Sequence, residues 1–293
     1  MALKATLIRR ICPPCDDKLV HLRLGMTKRV NTTEMAHLGT DAFSAKSFWH
    51  NGPAPGAFYN FPGMQSGSCN KEAQRSQQPI TTGTSVLGLK FENGVIICAD
   101  TLGSYGSMAR FRDCQRVMKV NNNIAVGVGG DYADFQYLKR IIDQKIMDEH
   151  IADDGFSLKP KALYTWLTRV MYNRRNRFDP LWNNYVVGGI QEGVPFLGAV
   201  DLRGMAYQDR HIATGYGGYI ALPLLRDAAE KNPNMTQQQA KDIMEKCLEV
   251  LYYRDARSFP KYQMAIVTAD GVTVSDVLEL KSNWEVAHMI SGF

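Results

Sequence analysis

No stretch of this 293-residue chain reaches the roughly 18 uninterrupted apolar residues that a membrane-spanning helix needs, which argues against a membrane span. Cysteine is sparse as well. Its six copies are scattered and no secretory signal precedes them, so a disulfide scaffold is excluded and a reducing compartment is the simpler reading. Cys12-Pro13-Pro14-Cys15 is a lone CxxC without the second ligand pair that a zinc site requires. The six histidines show no metal-ligand spacing, so neither a metal nor another cofactor is expected. Gly127-Val128-Gly129-Gly130 lacks the Lys-Ser/Thr that would follow in a phosphate loop. An excess of one charge is missing from most of the chain. The net +5 sits in residues 1–75, where ten Lys and Arg face five Asp and Glu, and the remainder is balanced. Binding to nucleic acid needs a basic face on the folded part, so nucleic acid is not an expected partner.

What is present divides unevenly. Residues 1–75 show no sustained period of 2 or 3.6, and Pro53, Pro55, Gly56, Pro62 and Gly63 break them repeatedly. Pro13-Pro14 and Asp16-Asp17 cut short any amphipathic import helix. Beyond residue 76 the periodicity becomes regular. Strands are expected over 84–99 on either side of Glu92-Asn93-Gly94, at 117–121 and 124–128, at 185–190 and 196–201, and at 263–268 and 272–277. Helices are expected over 132–150, 162–175 and 219–231, with a fourth opened by the capping box Thr236-Gln237-Gln238-Gln239. Cys98 and Cys247 fall in apolar periodic positions and read as core residues. Arg174, Arg175 and Arg177 suit a helix C-terminus, where cations complement the dipole. Trp166, Trp182, Tyr252 and Tyr253 read equally well as core or as interface anchors.

Thr84 follows Gly83, with Asp100 sixteen residues on and Arg116 thirty-two residues on. In this register, and with the blocks Leu102–Ser107, Gly130–Phe135, Asp179–Asn183 and Val250–Ser258 in this order, the chain from about residue 76 to 293 resembles the β-subunits of the 20S proteasome. The resemblance implies an α+β fold, the four-layer αββα sandwich of N-terminal-nucleophile hydrolases. It also implies that 1–75 is a propeptide removed during assembly. The run Ser76–Thr84 is similar to a non-catalytic branch of that family, in which cleavage falls upstream of Gly-Thr. The mature chain would then begin near Ser76, after Arg75.

Active members use the freed α-amine of the threonine, which titrates near ~8, as the base for its own hydroxyl. A lysine supplies compact positive charge, and an aspartate holds that lysine. Here Arg116 stands where the lysine would be, and its wide planar fork cannot offer a compact ammonium at the same point. Gly215-Tyr216-Gly217-Gly218 replaces a Gly-Ser-Gly-Ser, so Tyr216 brings a ring where a small hydroxyl is needed. Asp255 and Ser258 match the remaining site positions, or cap a helix end. Thr84, Asp100, Arg116, Tyr216, Asp255 and Ser258 are therefore expected to be a vestigial site, with no catalytic residue. The alternative is an active threonine protease with Thr84 as nucleophile. A freestanding binding module of the same fold is the other rival. By the resemblance, partners are other α and β subunits in four stacked seven-membered rings, with the C-terminal tail from Asn283-Trp284 to Phe293 reaching the opposite β ring. The expected location is cytoplasm and nucleus.

Overall fold

A computed structural model describes residues 77–289. The expectations for Cys12, Cys15, Arg75, Ser76 and the terminal Ser291–Phe293 lie outside the described residues.

The period-2 runs form strands because each can bury two faces. In β2 (Val86–Phe91), Leu87, Leu89 and Phe91 point one way and Val86 points the other. The following β3 (Gly94–Asp100) divides in the same manner, Ile96 and Cys98 against Val95, Ile97 and Ala99. Both belong to a six-stranded antiparallel sheet. It also contains β11 (His211–Ala213), β12 (Lys261–Thr268), β13 (Gly271–Val274) and β14 (Leu278–Glu279).

The second, eight-stranded sheet holds β1 (Thr81–Gly83), β4 (Gly103–Tyr105), β5 (Met108–Phe111), β6 (Val117–Asn121), β7 (Ile124–Asp131), β8 (Asn183–Gln191), β9 (Val194–Val200) and β10 (Ala206–Gln208). Sheet meets sheet through Val86, Ile97, Ala125, Val186 and Leu197. Gly127 permits the close approach: a Cβ there would come within 2.6 Å of Val86 and 2.7 Å of Ile97.

Helices α1 (Tyr132–Ala152) and α2 (Pro160–Asn176) cover the eight-stranded sheet with Phe135, Leu138, Ile142, Leu163, Leu167 and Met171. On the other side, α3 (Gly217–Lys231) and α4 (Gln237–Arg254) cover the six-stranded sheet with Leu225, Met244, Cys247 and Leu251. The result is the expected α+β sandwich of two sheets between two helical layers. Thr236 accepts from the Gln239 amide and Gln239 reaches back to the Thr236 amide, so the capping box forms. Cys98 and Cys247 are buried and unpaired, and burial pushes the Cys247 thiol up to about 12.

Two expectations need correction. The strand placed at 272–277 ends at Val274, where Ser275 turns its hydroxyl back to the Met264 amide. The strand expected from Thr84 begins at Val86, because Thr84 and Ser85 form the link from the short β1 into β2.

Candidate functional site

The site lies where β1 passes into β2. Strand β1 runs between β7 and β4, with Thr82 opposite Asp131 and Ser104 and Gly83 opposite Gly130. Asp100 closes β3, Arg116 precedes β6, Asp255 caps the C-terminus of α4, and Tyr216 is the N-cap of α3. Four elements distant in sequence thus deliver their ends to Thr84.

Arg116 is almost completely buried, at 2% exposure, and all five of its N–H donors are committed. Nε donates to the Asp100 carbonyl at 3.1 Å. Nη1 donates to the carbonyls of Thr84 at 2.9 Å and Val128 at 3.1 Å. Nη2 donates to the Ser85 carbonyl at 3.2 Å and forms an ion pair with Asp100 Oδ1. The guanidinium therefore ties the Thr84-Ser85 link between β1 and β2 to β3 and β7 through their backbones. Burial raises the Asp100 carboxyl to about 6; Arg116 opposes that shift and nearby Asp255 adds to it. The second oxygen of Asp100 is buried with no hydrogen-bond partner among the described residues.

The Thr84 hydroxyl donates to Asp255 Oδ2 at 2.6 Å. The other Asp255 oxygen accepts from the Arg257 amide at 3.0 Å. Ser258 turns away: its hydroxyl donates to the carbonyls of Leu251 and Asp255, at 3.0 and 2.9 Å, which closes the last turn of α4. Of the two readings open for this pair, Ser258 takes the capping one and Asp255 does both. Tyr216 is 61% exposed, on the rim of a cavity of about 200 Å³ lined also by Gly83, Thr84, Gly129, Gly215 and Arg257. Here Thr84 nitrogen is an amide with no basic lone pair, so the nearest acceptor for its hydroxyl proton is Asp255.

Sequence reasoning missed two neighbours. The Ser85 hydroxyl accepts from the Gly217 amide at 2.8 Å, capping α3 where Tyr216 supplies no side-chain bond. Thr214 Oγ1 accepts from the Val86 amide at 3.0 Å and steadies the start of β2. The proximity of Ser85 to Thr84 in sequence was the available signal. A larger recess of about 570 Å³, lined by Ile80, Thr81, Phe111, Cys114, Asp131 and Tyr132 among others, was also missed. Among the described residues no group of His, Cys, Asp and Glu could hold a metal ion.

The aromatic residues separate into different roles. Tyr252 and Tyr253 pack against Trp284 with ring centroids 5.7 and 5.1 Å apart, and the Tyr253 hydroxyl accepts from the Asn283 amide at 2.7 Å. Trp166 lies beneath Lys145, 5.0 Å from its ammonium. Arg174 is paired with Asp179 at 2.8 Å.

Residues 80–267 match the family described as Proteasome subunit. The chain is 51% identical over 242 residues to Proteasome subunit beta type-4 of Xenopus laevis, covering 83% of this chain and 98% of that protein. It is 44% identical over 260 residues to Proteasome subunit beta type-4 of Drosophila melanogaster, with 85% and 97% covered. Proteasome subunit beta type-7 of Saccharomyces cerevisiae is 40% identical over 228 residues, with 74% and 86% covered. With the family pattern matched over most of the fold, and such identity spanning nearly the whole length of its relatives, the chain belongs to the proteasome subunit family, among the subunits of β type.

Proposed function

We propose that this chain is a non-catalytic wall subunit of the 20S proteasome core, placed in a seven-membered β ring of a four-ring stack in cytoplasm and nucleus. It would serve proteolysis, including that of ubiquitin-tagged proteins, by building the chamber while other subunits cut. The carrying observation is the commitment of Arg116. Its five donors go to four carbonyls and Asp100, and the Thr84 hydroxyl, which a site cation would have to polarise, is bonded to Asp255 instead. An oxyanion or nucleophile at Thr84 would lack the positive partner that transition-state stabilisation needs. The Gly83–Thr84 bond follows directly on β1, whose Thr82 is paired on both edges, so the segment before Thr84 is held in the sheet. Removal of 1–75, leaving a start near Ser76, fits that arrangement.

N-terminal sequencing of the mature chain from purified cores tests this reading. A start near Ser76, with no adduct after exposure to a hydroxyl-reactive β-lactone, is the expected result. A start at Thr84 with a covalent adduct on its oxygen would defeat it.

A further inference from the structure

Helix α2 carries four cations, Lys161, Arg169, Arg174 and Arg175, and neither Asp nor Glu. Elsewhere in the fold opposite signs mix within a helix, as where Lys231 meets Asp227 in α3 at 2.6 Å. Arg174 is taken by Asp179, and Arg175 stacks over Tyr172 at 5.8 Å. Lys161 and Arg169 have no ion pair among the described residues. Their neighbours one turn away, Thr165, Trp166, Tyr172 and Asn173, carry no negative charge, so the helix cannot neutralise them itself. Lys161 also stands in the first turn, against the positive end of the helix dipole, with no acidic residue to offset it. A local choice that opposes the fold's own electrostatics points to a requirement from outside.

Both cations line a recess of about 440 Å³, together with Lys159, Thr165, Trp166 and Gln191. Lys159 is held by Glu192 at 3.0 Å, and Lys145 covers the Trp166 ring. The backbone end of the helix is not the binding element. The amides of Ala162 and Leu163 both donate to the Lys159 carbonyl, at 3.0 and 3.1 Å. The recess thus offers an indole beside two uncommitted cations, a composition suited to an interface. Burying those cations against a partner is favourable only where carboxylates oppose them.

We propose that this recess on the outer face of α2 docks an acidic segment of another subunit of the assembled particle. Lys161 and Arg169 pair with its carboxylates, and Trp166 packs on its aliphatic stems. The inference rests on the reading of the chain as a core subunit and adds the chemistry of one contact. Nucleic acid shares the negative charge, but α1 brings Asp143, Asp148 and Glu149 to the same helical layer, which disfavours a long phosphate backbone.

The test compares full-length free chain with purified particles, each treated with an amine-acetylating reagent. Lys161 is expected to react about tenfold more slowly in the particle, and carbodiimide is expected to couple it to an Asp or Glu of a different subunit. Equal acetylation, or coupling only within this chain, overturns the proposal. So does protection that disappears on nuclease treatment, which would hand the site to nucleic acid. The double variant Lys161→Glu/Arg169→Glu is expected to enter particles about tenfold less well. Both side chains are exposed, so the melting temperature of its free chain should move by no more than about 2 °C. Undiminished incorporation counts against the proposal. Absence of the parent chain from every particle is a separate result, which defeats the subunit reading and this contact with it.

Discussion

Replacing lysine by arginine at position 116 does more than change a proton donor. A lysine has three donors on a point charge, whereas the fork at Arg116 fills four carbonyls and a carboxylate at once. Arg116 is thus a bracket between strands. Arg116→Ala would leave Asp100 buried without its partner and strand the carbonyls of Thr84, Ser85 and Val128. A loss of about 3–5 kcal/mol is expected, as for breaking one side of a buried pair. Chemical denaturation of the full chain measures it, and a loss under about 1 kcal/mol would mean the bracket is dispensable. Asp100 gives a second expectation. Its folded carboxyl, at about 6, holds a proton more tightly than the unfolded value of 3.8. Its contribution therefore favours the fold most below pH 3.8 and declines as pH rises through about 6. Between pH 4 and 7 the parent should lose stability relative to Asp100→Asn, read from paired melting curves, and a constant gap would show that the carboxyl is not raised.

At the scale of elements, legibility followed length. The stripes of α1, α2 and α4 were readable because four or more turns repeat one apolar face, and the capping box at Thr236 carries its mechanism in its own letters. Strands β1, β4, β10 and β11 have three residues each, too few for two alternations, and β5 exposes all four of its side chains. The site was legible as a set of residue types but not as a set of bonds. Nothing in the sequence says that Arg116 prefers the Thr84 carbonyl to the Thr84 hydroxyl, because that choice depends on where β7 and the link between β1 and β2 place their oxygens. Gly83 is the clearest case. It reads as half of a Gly-Thr cleavage signal, yet the structure supplies a different reason for it: the stem of Arg116 lies over its Cα, where a Cβ would intrude. Gly83→Ala is expected to push the guanidinium off its carbonyls and cost about 1–3 kcal/mol, in line with other overpacked cores. A melting temperature equal to that of the parent would return Gly83 to a cleavage role alone.

At the scale of the whole molecule, the C-terminal tail has to leave the sandwich in a fixed direction if it is to reach beyond its own ring. The last four residues lie outside the described part, but the root of the tail is anchored. Trp284 wedges edge-on against Tyr252 and Tyr253, and the Asn283 amide bonds the Tyr253 hydroxyl, so the chain departs from the end of α4 at a set point. Trp284 remains 49% exposed, which makes it a poor contributor to the core and a good pivot. Trp284→Ala should therefore cost the domain only about 2–3 kcal/mol, since half of the ring is already solvated. On the expectation that the tail reaches the opposite β ring, the substitution should also let the tail swing and slow the joining of half-cores, because ordering the tail would then cost more. On the same expectation, deleting Ser291–Phe293 should produce the same defect. Sedimentation of cores from cells carrying either variant measures it. Half-cores accumulating beside a well-folded subunit is the expected pattern, and a normal yield of joined cores from both variants would show that the opposite ring is held by the sandwich itself.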